Sequence, residues 1–273
     1  MSDYLLQRLA PVVANERLNE KYCRVTVSCG PIASRSRPGQ FVTVRVAAGG
    51  PTLLRRPFSI HRVVADGLQL LVKLVGPATE ELAKIRPGRM LDVLGPLGDG
   101  VFAVAPERPR VLLVAGGVGV APLLFLADKM QGGRHWPPTL IFGGATALDL
   151  PTREQFAELG VPVRAATMDG SLGRRGPVTD ELTAALDERD PRQCQALACG
   201  PTPMLRAVAE ICAARGVPCR VSLESLMACG VGSCRGCVVP VRQDPTGHGI
   251  PYTRVCHEGP VCAAEDLAWE QME

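Results

Sequence analysis

The chain lacks the features that would place it in a membrane, outside a cell or on nucleic acid. Met1–Pro11 has no basic region followed by an apolar stretch and a cleavage site, so nothing marks it for secretion. The most apolar run, Val111 to Ala127, is interrupted by Gly116, Gly117, Gly119 and Pro122 and ends in Asp128–Lys129. That pattern fits a buried strand, a tight turn and a helix better than a membrane span. A net charge of +3 is too small to point to nucleic acid, and no basic run is interleaved with aromatics. Repeats and long low-complexity linkers are absent as well. With 273 residues, 46% hydrophobic and 21% charged, the chain is an ordinary globular sequence with room for two domains and a smaller addition.

Cysteine is the residue present in unusual number. An odd count of eleven suits a reducing compartment better than a disulfide framework, so the expected location is cytoplasmic. Seven of them (Cys23, Cys29, Cys194, Cys199, Cys212, Cys219 and Cys262) lie mostly in apolar stretches, where free thiols behave as small hydrophobes. The other four, Cys229, Cys234, Cys237 and Cys256, read C-x4-C-x2-C followed by a distant fourth cysteine. This is the spacing of a plant-type [2Fe–2S] site. The intervening Gly230–Val231–Gly232–Ser233 and Arg235–Gly236 are mainly small residues that can fold around a cluster. Glycine permits positive φ there and leaves amides free to point at sulfur. Four thiolates also satisfy tetrahedral zinc, but zinc ribbons present two Cys-x-x-Cys knuckles and only Cys234–Cys237 forms one. The spacing favours iron and sulfide.

Three segments follow from the hydrophobic rhythm. Residues 1–103 carry alternating runs at Tyr22–Ser28 and Gln40–Val46 and short β-rich runs at Pro57–Val64 and Leu68–Leu74, separated by Pro-Gly, Asp-Gly and other glycine turns. About six such strands predict a small antiparallel β barrel, with one helix near Thr79–Ile85 and a turn at Gly95–Gly98. Residues 104–220 alternate apolar strands (Arg110–Ala115, Thr139–Phe142, Val161–Thr167, Gln195–Ala198) with helices (Pro122–Met130, Arg153–Leu159, Val178–Leu186, Met204–Arg215). That order predicts a Rossmann-like α/β domain with a parallel sheet. Residues 221–273 form the cysteine appendage, with a hairpin loop expected at Gln243–Pro251.

Within the barrel, Arg55–Arg56–Pro57–Phe58–Ser59–Ile60 is the most informative segment. An arginine fork can neutralise a pyrophosphate, and an aromatic ring two residues along the strand can lie against a flat isoalloxazine. The serine can hydrogen-bond the flavin edge. A strand with an exposed arginine pair is the plainer reading. Gly76–Pro77–Ala78–Thr79 reads as a helix start, with Thr79 as N-cap, Leu82 as the first inward residue and free amides for a phosphate. In the second segment, Gly116–Gly117–Val118–Gly119–Val120–Ala121–Pro122 follows a buried strand, with Pro122 at the first helical position. A second turn, Cys199–Gly200–Pro201, again joins strand to helix. Both turns would fall at the carboxyl edge of a parallel sheet, where nucleotides bind. No arginine occurs in Gly143–Thr146 to grip a 2′-phosphate, which leans toward NAD, with Arg153 near enough to leave NADP open.

In this order the motifs resemble the ferredoxin–NADP reductase superfamily over nearly the whole chain. The C-terminal part, Val221–Glu224, Met227–Cys237 and Arg254–Val261, is similar to the electron-transfer subunits of the dihydroorotate dehydrogenase B family. The resemblance implies an oxidoreductase subunit with FAD, a [2Fe–2S] cluster and NAD. It implies that Arg56, Pro57, Phe58 and Ser59 contact FAD, that Leu71, Val72 and Lys73 line its adenine or pyrophosphate side, and that Ala78 and Thr79 hold phosphate. Ala78 departs from the family's usual glycine. Nicotinamide dinucleotide would take the turns at Gly116, Gly117, Gly119 and Pro122 and at Cys199, Gly200 and Pro201, and Cys229, Cys234, Cys237 and Cys256 would hold the cluster. The partner would be an FMN-containing dihydroorotate dehydrogenase catalytic subunit in a heterotetramer, with the electrons passing to NAD⁺ in pyrimidine biosynthesis. Subunits of NADH-dependent ferredoxin–NADP oxidoreductase and of sulfide dehydrogenase look similar, though some carry aspartate among the ligands where Cys229 stands here. A zinc-stapled adaptor without enzymatic activity is the alternative of another kind. The intact flavin and nicotinamide motifs argue against it.

Overall fold

The computed structural model describes residues 5–46, 53–243 and 251–272. Six strands close a barrel: β1 (Leu6–Arg17), β2 (Tyr22–Ser28), β3 (Phe41–Arg45), β4 (Arg56–Val64), β5 (Gly67–Lys73) and β6 (Met90–Leu97). Their order round the barrel is β1-β2-β5-β4-β3-β6, antiparallel throughout. Alternation works as expected, and the inward residues Val25, Val27, Val42, Val44, Ile60, Leu70, Leu91 and Val93 fill one core. A short helix α1 (Gly30–Ala33) and helix α2 (Pro77–Lys84) add Ile32 and Leu82 to that core.

Two local expectations of the barrel change. Gly95–Pro96 is no turn but part of β6, where Gly95 faces Val42 so closely that a Cβ would lie 2.8 Å from its Cγ1. Helix α2 begins at Pro77 with Gly76 as its cap, and Thr79 sits at the third position. Its hydroxyl accepts from the amides of Val75 (2.9 Å) and Gly76 (3.2 Å) and donates to the Gly76 carbonyl (2.9 Å). Ala78 and Thr79 are themselves buried, so Leu82 is not the first inward residue.

The second unit is a sheet of β7 (Arg110–Gly116), β8 (Thr139–Gly144), β9 (Val163–Thr167), β10 (Arg174–Arg175), β11 (Cys194–Cys199) and β12 (Cys219–Ser222). A last strand, β15 (Val261–Ala263), completes the order β10-β9-β8-β7-β11-β12-β15. All neighbours are parallel except β12 and β15. Helices α3 (Val120–Met130) and α4 (Arg153–Glu158) cover one face, and α5 (Val178–Asp187) and α6 (Thr202–Ala214) the other. The helix after the glycine turn therefore starts two residues before Pro122, which lies inside its first turn, where a missing amide hydrogen still costs nothing.

Besides the Arg62–Asp128 ion pair (2.7 Å), two buried side chains tie the barrel to the second unit. Phe125 of α3 is wholly buried in the barrel core, worth about 2 kcal/mol of apolar transfer. Beside it His61 of β4 is also wholly buried, with Nδ1 donating to the Ala121 carbonyl (3.2 Å) and Nε2 3.0 Å from the Gln155 side-chain amide. Burial lowers its pKa to about 4, so the ring is neutral near pH 7.

The cysteine segment does not hang free. It leaves the sheet at Ser222, forms the pair β13 (Val238–Pro240) and β14 (Tyr252–Arg254), and returns through β15, whose Val261 pairs with Ser222. Leu267 and Trp269 beyond β15 are buried against the α5–α6 side of the sheet. The hairpin loop expected at Gln243–Pro251 lies, but for its end residues, outside the described residues.

Candidate functional site

The carboxyl ends of the parallel strands open toward the barrel. Gly116, Gly144, Cys199 and Ser222 are the last residues of β7, β8, β11 and β12, and all four line one cavity of about 1030 Å³. The opposite wall is β4 and β5 of the barrel. Small-molecule sites commonly fall between about 300 and 1,000 Å³, so this cleft stands at the upper end of that range.

Twelve of the sixteen sequence-chosen nucleotide and flavin residues line it: Arg56, Pro57, Phe58, Ser59, Leu71, Lys73, Thr79, Gly116, Gly117, Gly119, Cys199 and Pro201. Four do not. Val72 is wholly buried in the barrel core, as it must be when Leu71 and Lys73 on either side of it face the cleft. Ala78 is buried beneath α2, and Pro122 is buried in α3. Gly200 is packed against the other turn, where a Cβ would lie 3.1 Å from the Gly116 Cα. Arg153 also falls elsewhere: it pairs with Glu154 (2.9 Å) and lines a separate cavity of about 500 Å³ between β2 and α4.

Charge in the cleft is distributed unevenly. Arg56 makes no ion pair among the described residues, its one hydrogen bond running to the Leu54 carbonyl (3.4 Å), so its fork is available to an anion. Lys73 reaches Asp149 at 4.0 Å, and Lys21 reaches the same carboxylate at 3.0 Å. Burial works to raise Asp149, but Lys21, the Thr146 amide and Lys73 outweigh it and hold the carboxyl below its ordinary range. Glu224 stands between the cavity walls with its side chain open to the cavity, and its pKa is raised by desolvation against a smaller pull from Lys73. Burial pushes the Cys199 thiol far up, with Glu224 adding to it, so this cysteine is a neutral wall residue. Asp149, Glu224, Met168 and Thr179 line the cleft without having been singled out as its residues. Their signal was position, just beyond strand ends or at a helix start, and for Glu224 its place in the Val221–Glu224 stretch.

The glycines of the nucleotide turn are required by the protein itself. A Cβ on Gly119 would lie 2.2 Å from the Cys199 carbonyl oxygen, and one on Gly116 would lie 2.5 Å from Met204 Sδ. Only Gly117 adopts positive φ (+53°) in this turn.

The cysteine loop sits beside the cleft. Gly230 is buried against the barrel, where a Cβ would lie 2.9 Å from Thr43 Cγ2, and Thr43 pairs with Pro57 in the ladder. Every one of the four sulfurs receives a backbone amide. Val231 and Cys234 donate to Cys229 Sγ (both 3.4 Å), Gly232 to Cys256 Sγ (3.2 Å), Gly236 to Cys234 Sγ (3.4 Å) and Cys256 to Cys237 Sγ (3.4 Å). Burial acts to raise the Cys229 thiol, yet these amides and the Cys234 thiol outweigh it and bring the pKa to about 6. Burial and the adjacent Cys237 thiol push Cys256 the other way. A ring of N–H donors around four thiols is the environment a cluster of thiolate-bound iron and sulfide requires. Among the described residues no three His, Cys, Asp or Glu side chains gather round a single ion, so it is the amide ring that marks the site.

Residues 113–210 match the oxidoreductase NAD-binding domain, and residues 224–268 match the iron–sulfur cluster binding domain of dihydroorotate dehydrogenase B. The chain is 38% identical, over 94% of its length and 97% of the relative's, to the dihydroorotate dehydrogenase B (NAD(+)) electron transfer subunit of Caldanaerobacter subterraneus subsp. tengcongensis. To the subunit of the same name from Bacillus caldolyticus it is 39% identical, over 96% and 99%. Among solved structures, an NADH-dependent reduced ferredoxin–NADP oxidoreductase superposes with a TM-score of 0.82 at 29% identity, over 97% of this chain and 91% of that one. The Neisseria gonorrhoeae ferredoxin NADP⁺ reductase, solved with FAD and NADP, shares the fold at a TM-score of 0.62 and 18% identity, over 79% of this chain and 93% of that one.

Proposed function

Because the chain belongs to the dihydroorotate dehydrogenase B electron-transfer subunits, we propose that it carries electrons drawn from dihydroorotate to NAD⁺. It is a flavin and iron–sulfur oxidoreductase subunit serving pyrimidine biosynthesis. A catalytic partner bearing FMN oxidises the dihydroorotate, and two copies of each chain form a heterotetramer in the cytoplasm. Among the described residues no helix is long and apolar enough to cross a membrane.

The observation that carries this reading is the cleft in which the Arg56–Ser59 wall faces the Gly116–Gly119 turn, with the amide-ringed cysteines packed behind Thr43. We assign FAD to segment 1–103, the nicotinamide dinucleotide to 104–220 and the cluster to 221–273. When bound, the cluster supplies one-electron transfer and the flavin exchanges single electrons for the electron pair that NAD⁺ accepts. The chain's own residues hold and orient these groups. Arg56 presents its fork to the flavin pyrophosphate, while Pro57, Phe58 and Ser59 set the plane of the ring. Thr79 closes that end of the site through its backbone, since its hydroxyl is engaged by residues 75 and 76. The carboxyl-edge turns at residues 116–119 and 199–201 receive the nicotinamide dinucleotide. Cys229, Cys234, Cys237 and Cys256 hold the iron. With Arg153 turned into another cavity and no basic side chain in Gly143–Thr146, nothing singled out in the sequence remains to hold a 2′-phosphate, which favours NAD.

The test is dihydroorotate-dependent reduction of NAD⁺ by the anaerobically co-purified complex. Reduction that requires this chain supports the reading. An NADH-oxidising, coloured protein that gives no such reduction transfers it to the NADH-dependent ferredoxin–NADP oxidoreductases, which the full-length superposition makes the second candidate.

A further inference from the structure

The side chain of Arg254 is engaged at both ends of a short path to the cysteines. Its Nε lies 3.0 Å from both Glu258 carboxylate oxygens, and Nη2 also donates to Oε1 of that residue. The Arg254 backbone amide donates to Glu258 Oε2 as well (2.9 Å). The remaining arm, Nη1, crosses to the other half of the site and donates to the Gly232 carbonyl (3.0 Å). A planar fork held by a carboxylate in this way has one direction left to point.

Gly232 stands at the centre of the amide ring. Its own N–H donates to Cys256 Sγ at 3.2 Å, the shortest of the five N–H···S contacts. The Gly232 carbonyl that Arg254 holds and the Gly232 N–H that faces sulfur meet at one Cα, so anchoring the oxygen restricts how far the donor can swing from Cys256. Gly232 adopts φ +83°, and both it and Gly230 (φ +73°) have no side chain to fix the plane. Without an external anchor this glycine can rotate and take its N–H away from sulfur.

We propose that Arg254, fixed by Glu258, is a positioning residue for the cluster: it holds the Gly232 carbonyl so that the Gly232 N–H stays on Cys256 Sγ. The inference rests on the cluster reading given above and adds to it a residue that ligates nothing. Outer partners of metal ligands act in this way, by fixing orientation and charge around the ligand atoms.

The experiment uses the full chain in complex with its catalytic partner, purified anaerobically, as wild type and as Arg254→Gln, Arg254→Lys and Glu258→Gln. Iron, sulfide and FAD contents are measured first, then the EPR g-values and midpoint potential of the reduced cluster and its rate of loss to a chelator. Arg254→Gln is expected to shift the g-values and potential and to lose iron about 10-fold faster. Arg254→Lys, which keeps the charge and one donor, should fall between that variant and wild type, with Glu258→Gln closer to wild type. Wild-type g-values and potential in an iron-loaded Arg254→Gln protein would overturn the proposal. If Arg254→Gln takes up no iron while retaining FAD, partial recovery of a shifted cluster in Arg254→Lys supports it, and equal failure of both overturns it. A wild-type chain without iron and sulfide would overturn the cluster reading and this proposal together, an outcome visible before any variant is made.

Discussion

Two glycine-rich turns flank the same cleft, and they are rich in glycine for different reasons. At residues 116–119 the protein crowds itself: the turn at Cys199–Gly200 presses so closely that a Cβ on Gly119 would meet a carbonyl oxygen at 2.2 Å. At residues 229–237 the demand is conformational: Gly230 and Gly232 stand at φ +73° and +83°, with Cβ positions 2.9 Å from Thr43 and 2.7 Å from His257, and the amides of residues 231, 232, 234 and 236 all donate to cysteine Sγ atoms. A Cβ on Gly236 would meet nothing closer than Cys234 Sγ at 3.6 Å, an ordinary contact. The first turn is set by packing that exists without a ligand. The second is set above all by left-handed glycines that aim its amides at sulfur.

The strongest way to break this contrast is to remove a sulfur. Cys234→Ser should abolish dihydroorotate-linked NAD⁺ reduction while FAD stays bound, read by coupled assay and flavin content. Full coupled activity would show that the cysteine loop is ornamental. Next is the support beneath the first turn. His61, neutral when folded at a pKa of about 4 against an unfolded value near 6.5, leaves the unfolded chain to take up the proton first. Its contribution is therefore complete above pH 6.5 and is lost as pH falls toward 4, by about 3 kcal/mol in all. Denaturant unfolding across that range should show the slope in wild type and lose it in His61→Gln.

Gly119→Ala should cost about 2–3 kcal/mol by overpacking and weaken NAD(H) binding, measured by unfolding and by KM. Gly236→Ala is the matched control in the other turn. It keeps the amide and meets only a sulfur at ordinary distance, so stability should change by no more than about 0.5 kcal/mol and iron should be retained. If the two alanines cost the same, the contrast fails. Smallest of all is Arg153→Ala, expected to leave the KM for NADH where it was because the side chain faces the other cavity.

Much of the architecture was written in local pattern. Alternation in Tyr22–Ser28 and the β-rich run Leu68–Leu74 announce barrel strands, and the continuous apolar run before Gly116 announces a buried parallel one. The cysteine spacing is equally local, because a loop that wraps a cluster must be short. What escaped depends on surfaces that meet only after folding. Val72 could have been struck from the flavin wall by strand periodicity alone, since Leu71 and Lys73 already take the other side. Gly95–Pro96 read as a turn because strand β6 tolerates a residue without a side chain only where Val42 presses on it. Asp149 and Met168 belong to no motif, and it is the closing of barrel against sheet that makes them cleft residues.

The return of β15 to the sheet has a further consequence. The cysteine segment departs at Ser222 and comes back at Val261, residues that are partners across neighbouring strands. Its two ends meet, as the ends of an inserted domain do. Residues 223–260 are thus a cassette spliced between the last two strands of a two-nucleotide reductase. Replacing them by a tight turn would leave the sheet's hydrogen-bond ladder intact, and grafting them onto another reductase of this fold would require matching that strand pair together with the contacts to Thr43, Asp99 and Gly100 of the barrel side.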